Sequence, residues 1–373
     1  MFIRVDKKPL LDALLPALCA VSNKSTIAAL SCVFLHADEE NSTLTITGFD
    51  INKGLKTSIP ATVLEGGNLL LEGHKFASIV RSLPDTEVSV QNDDRFITTI
   101  SCQKSRFEIS GMSSESYPSL PELKGDRGFK ISQGTLKKMI SQVIFSYSLS
   151  DNKPVLTGIN FEFGNGRLRL CSCDGYRVSI KDESFEAESI REGSFIVPGK
   201  TLTELYKLLS SDEESEVKVE LSRKHIIFSF DNLIFFSRLI EGNYFDYDKS
   251  IPKVFKTYAT VNLSDAIAAV ERSALIIDER AKSPIKFIVT PDSVRITCNT
   301  VNGRIDEEFD AEVEGEEITV GFNHRYLLDA LKGAEISGDE KVLIELYSPI
   351  SGMIIKPVDH EDFCYMVLPV RLN

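Results

Sequence analysis

The sequence predicts an α+β protein made of three similar domains, each with two helices packed on antiparallel sheet. Two observations lead to this prediction. At 373 residues the chain is too long for one typical hydrophobic core. One order of elements also occurs three times along the chain at a nearly constant spacing.

Each repeat is predicted to open with a short strand and a helix whose apolar residues have helical spacing. The three helices begin at Leu10, Leu136 and Ala266, which are 126 and 130 residues apart. The predicted strand and helix pairs are Phe2–Val5 with Leu10–Val21, Phe129–Ile131 with Leu136–Phe145, and Tyr258–Val261 with Ala266–Leu275.

The middle of each repeat holds strands around a polar turn, with second strands at 44–55, 168–180 and 294–305. Another strand then runs into a second helix. These pairs are Asn68–Leu71 with His74–Leu83, Ser194–Val197 with Lys200–Leu209, and Glu317–Gly321 with His324–Leu331. A β-rich stretch closes each repeat, at 87–110, 216–239 and 341–370.

Proline-containing stretches at 113–128 and 243–256 are the predicted linkers. They give predicted domains at 1–126, 127–250 and 251–373. Helices that pack on one face of a sheet bury one stripe and expose another, so each domain is expected to have one helical surface and one sheet surface.

Composition limits the class of protein. No run approaches the ~20 apolar residues of a membrane span, and the apolar N-terminal stretch is interrupted by Asp12 and Pro16, so it is predicted to be a helix of the fold and not a signal peptide. The seven cysteines are scattered and odd in number, which favours buried thiols in a reducing cytoplasm. The net charge of −13 argues against coating nucleic acid by charge alone.

Two apolar segments suggest a docking groove. In the segment 153–180, Asp174-Gly175 predicts a two-residue hairpin turn with Cys173 opposite Tyr176 and Cys171 opposite Val178. The second segment is FCYMVLPVRL at 363–372, in which Pro369 cannot lie in a central strand. An apolar terminus with an internal proline must pack on something, and we expect the two segments to form one groove.

The second helices carry basic residues in all three repeats although the chain is acidic. The first helix of the middle repeat adds two more. A spacing of six or seven residues places both charges of a helix on roughly one side, which suits a phosphate backbone without base readout. A solvated helix face would give the same pattern. The residues are Lys75, Arg81, Lys137, Lys138, Lys200, Lys207, Arg325 and Lys332.

A search for catalytic patterns is negative. The sequence has no phosphate-binding Gly-rich loop with Lys-Ser/Thr, no G-x-S-x-G, no H-E-x-x-H and no C-x-x-C, and its five histidines match no ligand spacing. No cofactor or metal is predicted. A cysteine hydrolase that uses Cys171 or Cys173 is the enzymatic alternative.

The chain resembles the bacterial DNA polymerase III beta subunits, the DNA sliding clamps, over almost its whole length. The segments that carry the resemblance occur in the family's order. They are Val21-Ser22 with Lys24-Ser25-Thr26, KPVLTG at 153–158, DGYRV at 174–178, Val197-Pro198, SRLIEG at 237–242 with Asp246-Tyr247, GFN at 321–323 and YMVLPVRL at 365–372.

The resemblance implies a DNA clamp fold and a head-to-tail homodimeric ring that encircles double-stranded DNA without sequence preference, with its helices inside and Lys24 among the DNA-facing residues. A head-to-tail interface joins two different surfaces of identical subunits, and it forms a closed ring when the rotation between neighbouring subunits brings the last one back to the first. The family implies a non-catalytic, cytoplasmic processivity factor whose partners are the polymerase alpha subunit, the clamp loader and repair polymerases, bound through short peptides. A peptide-binding scaffold of the same fold that does not encircle DNA is the alternative.

The resemblance also implies site residues. The seam between subunits would use Phe107, Ile109, Leu275 and Ile276, although all four could instead belong to domain cores. Tyr176, Cys173 and Tyr244-Phe245 depart from the family's usual His, Thr and Phe-Pro, which affects the expected peptide preference. The implied peptide-binding residues are Leu156, Cys173, Gly175, Tyr176, Arg177, Val178, Phe245, Asn323, Tyr326, Met366, Leu368, Pro369, Val370 and Arg371.

Overall fold

The computed structural model describes residues 1–22, 25–185, 192–277 and 283–372. Six α-helices lie in these ranges, two in each predicted repeat, as the sequence predicts. They are α1 (Lys7–Ala17), α2 (Gly73–Ser82), α3 (Gln133–Ser141), α4 (Gly199–Leu208), α5 (Leu263–Ala274) and α6 (His324–Glu335). No helix in the described ranges has both the length and the apolar character that a membrane crossing requires.

The strands are numbered in chain order. The first repeat contains β1 (Phe2–Asp6), β2 (Cys32–Asp38), β3 (Thr43–Phe49), β4 (Lys53–Pro60), β5 (Thr62–Glu65), β6 (Gly67–Glu72), β7 (Glu87–Asn92), β8 (Ile97–Cys102) and β9 (Ser105–Ser110). The second contains β10 (Arg127–Ser132), β11 (Gly158–Gly164), β12 (Arg167–Cys173), β13 (Arg177–Ser184), β14 (Gly193–Pro198), β15 (Glu216–Leu221), β16 (His225–Phe230) and β17 (Leu233–Arg238). The third contains β18 (Thr257–Asn262), β19 (Ile285–Val289), β20 (Ser293–Thr300), β21 (Gly303–Gly315), β22 (Ile318–Phe322), β23 (Lys341–Leu346), β24 (Met353–Pro357) and β25 (Phe363–Val367).

Helix α2 shows how the sequence sets the packing of a second helix. Its apolar residues Phe76, Ala77 and Val80 are buried, while Lys75 and Arg81 are exposed. The Glu72 carboxylate accepts hydrogen bonds from the backbone N–H groups of residues 74 and 75 and so caps the helix start. The helix therefore has one apolar stripe toward the sheet and a polar side toward solvent. Because six residues are not a whole number of turns, Lys75 and Arg81 lie about 120° apart around the helix axis and do not form a single stripe.

The described residues divide into two compact units. The first comprises Met1–Gln133 and Lys207–Leu239 and contains a five-stranded sheet, ordered β5-β1-β7-β8-β9, and an eight-stranded sheet, ordered β10-β15-β16-β17-β4-β3-β2-β6. The eight-stranded sheet explains why residues of the second repeat belong to this unit, because β17 pairs with β4 from Leu233–Thr57 to Ser237–Lys53. The domain boundaries at 126 and 250 stay a prediction.

The second unit comprises Gly134–Tyr206 and Ile240–Asn373. Its twelve-stranded sheet is ordered β14-β11-β12-β13-β25-β24-β23-β18-β21-β20-β19-β22. Here β13 pairs with β25, from Arg177–Val367 to Lys181–Phe363, just as β17 pairs with β4 in the first unit. The core of this unit includes Phe287 and Phe322 of the sheet and Leu331 of α6.

The predicted register of the β12–β13 hairpin is wrong by two residues. Cys173 lies opposite Val178 and Cys171 opposite Ile180, so the connection is four residues long, not two. A shift of two residues preserves side-chain alternation, so Cys171, Cys173 and Val178 still share one buried face. The opposite face, with Ser172 and Ser179, is buried as well. The longer loop arises because Asp174 itself bonds the backbone of the turn, as described below.

A charged cluster fixes the start of β25. Lys181, almost fully buried on β13, contacts the carboxylate of Asp362, and His360 contacts both Asp362 and Asp339. The hydrogen bond that His360 donates to Asp339 and the nearby Asp362 charge raise the pKa of His360. Burial opposes ionisation of Asp362, but the contacts of Asp362 with Lys181 and His360 outweigh it and lower the Asp362 pKa. The ion pairs of His360 with Asp362 and Asp339 stabilise the folded state only while His360 holds its proton, whereas the contact of Lys181 with Asp362 does not depend on it.

Replacing His360 with Gln is expected to lower thermal stability in acid more than in alkali. The raised native pKa means that the stabilisation is complete below the unfolded value of about 6.5 and is lost as pH rises through the native value. The Tm difference from the unaltered protein, measured by calorimetry from about pH 6 to pH 9, should shrink with rising pH. A constant difference would contradict a charge-based role.

Candidate peptide-binding groove

The turn between β12 and β13 forms one wall of the groove, and Asp174 shapes it. Its carboxylate accepts hydrogen bonds from the backbone N–H groups of Tyr176, at 2.9 Å, and Arg177, at 3.1 Å. Gly175 has φ of +91°, a backbone conformation that glycine adopts without strain. The turn thus presents its backbone and the Tyr176 ring to solvent.

Arg177 ties this turn to the surrounding helices. The residue is only 9% exposed, and its guanidinium donates to Asp174 at 3.0 Å, to Asp329 of α6 at 2.5 Å and to the carbonyl oxygen of Phe145. It also lies 4.5 Å from the ring centre of Tyr326. Two carboxylates and a carbonyl satisfy this buried cation, which fixes the wall in place.

A cavity of about 250 Å³ opens beside the turn. Its surface is mainly apolar, and residues from the short helical turn Pro154–Thr157, from β12, β13 and β25 and from the 243–256 linker meet there. An apolar concavity with a few polar groups at its edge suits an apolar side-chain anchor. The lining residues are Lys153, Val155, Leu156, Cys173, Gly175, Arg177, Val178, Phe245, Ser250, Met366 and Leu368.

The C-terminal tail continues this wall beyond β25. The backbone N–H of Leu368 donates to the Tyr176 carbonyl oxygen at 2.9 Å, and that of Val370 donates to the Gly321 carbonyl oxygen at 2.8 Å. A Cβ atom at position 321 would lie 2.4 Å from the Val370 carbonyl oxygen, so this close approach requires glycine. The tail thereby also lines a cavity of about 700 Å³ with Thr319 and Ile350.

The thiols of the groove do not support nucleophilic chemistry. Burial raises the pKa of Cys173 to about 11 and raises that of the fully buried Cys171 well above its ordinary value. A thiol is nucleophilic as the thiolate, and these environments keep it protonated. Within the described ranges, no group of three or more His, Cys, Asp or Glu residues could hold a metal ion. The raised pKa values therefore disfavour the thiolate that the cysteine-hydrolase alternative would need.

The sequence matches three family models in succession along the chain. They describe the N-terminal domain of the DNA polymerase III beta subunit at residues 1–121, its central domain at 130–246 and its C-terminal domain at 248–371. The beta sliding clamp of Halalkalibacterium halodurans is 32% identical, with 94% of each chain covered. The chain belongs to the DNA polymerase III beta subunit family.

Other members of the family agree over the full length. The beta sliding clamp of Bacillus subtilis is 29% identical, with both chains fully covered. A crystal structure of the Bacillus subtilis DNA polymerase sliding clamp superimposes with a TM-score of 0.95 at 28% identity. A putative DNA polymerase III beta subunit from Eubacterium rectale gives 0.94 at 32% identity, and both structures are covered completely. The three-domain clamp fold predicted from the sequence is thus confirmed.

The structure brings most of the predicted groove residues together, though not all in one cavity. Tyr176 and Tyr326 stack on each other with ring centres 6.0 Å apart and line a different cavity, and Asn323 caps α6 by accepting from the Arg325 N–H. Lys153 and Val155 lie in the segment 153–180 that was predicted to form the groove, although they were not among the predicted site residues. The sequence reasoning missed Ser250, which lines the groove, and Asp329, which accepts from Arg177. Asp329 could not be identified from the sequence because its partner Arg177 lies 152 residues away along the chain.

The residues that are predicted to face DNA lie in different surroundings. Lys75, Arg81, Lys200, Lys207, Arg325 and Lys332 are exposed, and Lys137 and Lys138 are half-buried. Lys332 forms an ion pair with Glu271 at 2.6 Å, which offsets part of its charge. Arg81, Lys207 and Lys332 also lie in the last turns of their helices, where a cation stabilises the helix itself. Lys24 lies outside the described residues.

The four predicted seam residues divide into two kinds. Leu275 is 84% exposed at the end of α5, and Phe107 is 37% exposed on β9. Ile109 is buried, and Ile276 packs against the core of the second unit. The sequence reasoning missed Val301, which is 96% exposed in the β20–β21 turn. This turn lies close to the predicted seam residue Ile276, because the Thr300 hydroxyl donates to the Ile276 carbonyl oxygen.

Proposed function

We propose that two copies of this chain close head to tail into a ring that encircles duplex DNA, slides on it and tethers the replicative polymerase. One observation carries the proposal. The chain completes its sheets at two repeat junctions by antiparallel edge pairing, β17 with β4 and β13 with β25. Among the described residues, the two strands of a third junction of the same kind do not pair with each other.

The strands of this third junction are β9 and the first half of β21. In the described residues, β9 is the last strand of its sheet, and residues 303–310 of β21 pair with β20 on one side only. By repeat order, β9 corresponds to β17 and β25, and β21 corresponds to β4 and β13. Pairing β9 of one copy with β21 of the other would repeat the internal junctions and close a ring after two copies.

The groove supports the tethering part of the proposal. Its apolar cavity would take a Leu or Phe anchor of a short peptide, and the Tyr176 ring, the tail and Arg371 would form its rim. We propose the polymerase alpha subunit, the clamp loader and repair polymerases as the bearers of such peptides. The chain itself would act as a non-catalytic subunit in the cytoplasm.

A topological experiment tests the ring directly. The labelled protein is loaded on a nicked circular plasmid with a clamp loader, and retention is measured by gel filtration before and after a restriction enzyme linearises the DNA. A ring should stay on the circle and leave the linear molecule through its ends. Equal retention on both forms, or none on the circle, would favour the peptide-binding scaffold that does not encircle DNA.

Charge reversal at the basic helices should weaken DNA association without affecting peptide binding. Lys75→Glu with Lys200→Glu removes two exposed charges that would face phosphates, so retention should fall by roughly 10-fold at low salt, and the difference should shrink at high salt. The matched control is Lys224→Glu with Lys253→Glu, which makes the same change of net charge at exposed positions outside the α-helices. Equal losses in both variants would show that only net charge matters.

A further inference from the structure

A second cavity, of about 640 Å³, lies on the other side of the β12–β13 turn. Its lining is rich in aromatic rings, with Phe145, Tyr147, Tyr176, Tyr206 and Tyr326 among its residues, and we call it the tyrosine cavity. Only Tyr176 and Tyr326 of these rings were expected to contact a peptide. Tyr147 follows the helical turn after α3, and Tyr206 lies on α4 with its side chain partly exposed.

The tyrosine cavity and the groove meet at one turn. Arg177 lines both cavities, Gly175 lines the groove, and the adjacent Tyr176 lines the tyrosine cavity. A chain anchored in the groove that passes over Gly175 and Tyr176 therefore arrives at the tyrosine cavity. The cavity is thus continuous with the site proposed for the peptide anchor.

Charge distinguishes between the possible occupants. The Arg177 guanidinium in the cavity wall is matched by the carboxylates of Asp174 and Asp329, and Asp174 itself lines the cavity. The Lys137 ammonium lies 5.3 Å from the centre of the Tyr206 ring. A single-stranded nucleic acid site combines stacking rings with a positively charged backbone groove. Among the described residues, the lining of the tyrosine cavity contains one cation, Arg177, whose charge two carboxylates already neutralise. An uncharged aromatic side chain fits it better.

We propose that the tyrosine cavity binds an aromatic side chain of the same peptide whose apolar anchor occupies the groove. The inference rests on the proposed peptide-binding function. Aromatic rings pack on tyrosine in offset or edge-to-face geometry, which would tighten binding of such a peptide roughly 3- to 10-fold over the anchor alone. Aromatic residues outside the anchor would thus help to select among peptides that share it.

The test uses the full-length protein and fluorescein-labelled synthetic peptides with a Leu-Phe anchor. One peptide has only Ser and Gly beside the anchor, and the others carry a single Trp scanned through both flanks. Kd values come from fluorescence anisotropy with the unaltered protein, with Tyr206→Ala and Tyr206→Gln, and with Tyr206→Phe. Tyr258→Ala, at a partly exposed tyrosine outside both cavities, is the matched control.

At least one Trp position should tighten binding to the unaltered protein by roughly 3- to 10-fold. The gain should vanish in Tyr206→Ala and Tyr206→Gln and persist in Tyr206→Phe and the control, with the Ser-Gly peptide unaffected throughout. Three results would overturn this inference while leaving the groove function standing. They are no gain in affinity from Trp at any position, a gain that survives in Tyr206→Ala, and loss of the gain when an oligo-dT strand competes with the peptide. Failure of every peptide to bind the unaltered protein would overturn the groove function and this inference together.

Discussion

Deletion of residues 368–373 is expected to abolish binding of a short peptide with a Leu-Phe anchor. The deletion removes the Leu368 side chain from the groove lining and the two backbone hydrogen bonds that hold the tail on Tyr176 and Gly321. Loss of apolar contact with one or two anchor residues costs about 3 kcal/mol, which corresponds to roughly 100-fold weaker binding. Fluorescence anisotropy with a labelled peptide would measure the effect.

Two controls separate this loss from unfolding. The deletion should leave the mass of the dimer in light scattering unchanged, because the proposed seam uses β9, β21 and the end of α5. Tyr176→Ala with Leu368→Ala should weaken peptide binding to an intermediate degree through the loss of two rim side chains. If the truncated protein binds peptide as tightly as the intact one, the tail is not part of the site.

Leu275→Ala with Phe107→Ala should convert the dimer into a folded monomer. Both side chains are exposed in the single chain, Phe107 on the edge strand β9 and Leu275 at the end of α5, so we expect their apolar surface to be buried only in the assembled ring. Losing two such anchors costs about 3 kcal/mol of association free energy, a roughly 100-fold increase in the dimer dissociation constant. Analytical ultracentrifugation over a range of protein concentrations would measure the dimer dissociation constant.

The choice of Phe107 over Ile276 follows from the structure. Ile276 packs on its own core, so its truncation would also lower the folding stability and confuse the two effects. The matched control is Val254→Ala with Leu64→Ala, two exposed apolar residues away from both open edges. A double variant at 275 and 107 that stays dimeric at the lowest concentrations would exclude this seam.

The order of elements could be predicted from the sequence because it depends on local periodicity. Apolar spacing fixed the existence of helices such as α2, whose buried Phe76 and Val80 define its inner stripe. The β12–β13 register could not be predicted from the same rules. The Asp174-Gly175 dipeptide also suits a longer loop when the Asp174 carboxylate bonds the backbone N–H groups that follow it.

The candidate site was predictable only in part, for a similar reason. The groove residues of the KPVLTG and DGYRV segments were found through the resemblance to the family. Asp329 and Ser250 could not be found, because their importance depends on contacts between segments far apart in the chain. The same holds for Val301, whose exposure is unremarkable in sequence and distinctive only beside an open strand edge.

The way the tail is held has a consequence for how this protein could diversify. Its path is set by N–H groups of the main chain at positions 368 and 370 and by the absence of a side chain at Gly321. The side chains of Leu368 and Val370 are therefore not needed to keep the tail in place. Substitutions at these two positions should change which peptides bind while preserving the groove. Libraries varied at both positions should therefore yield protein variants that each bind their own peptide and not the peptides of the other variants.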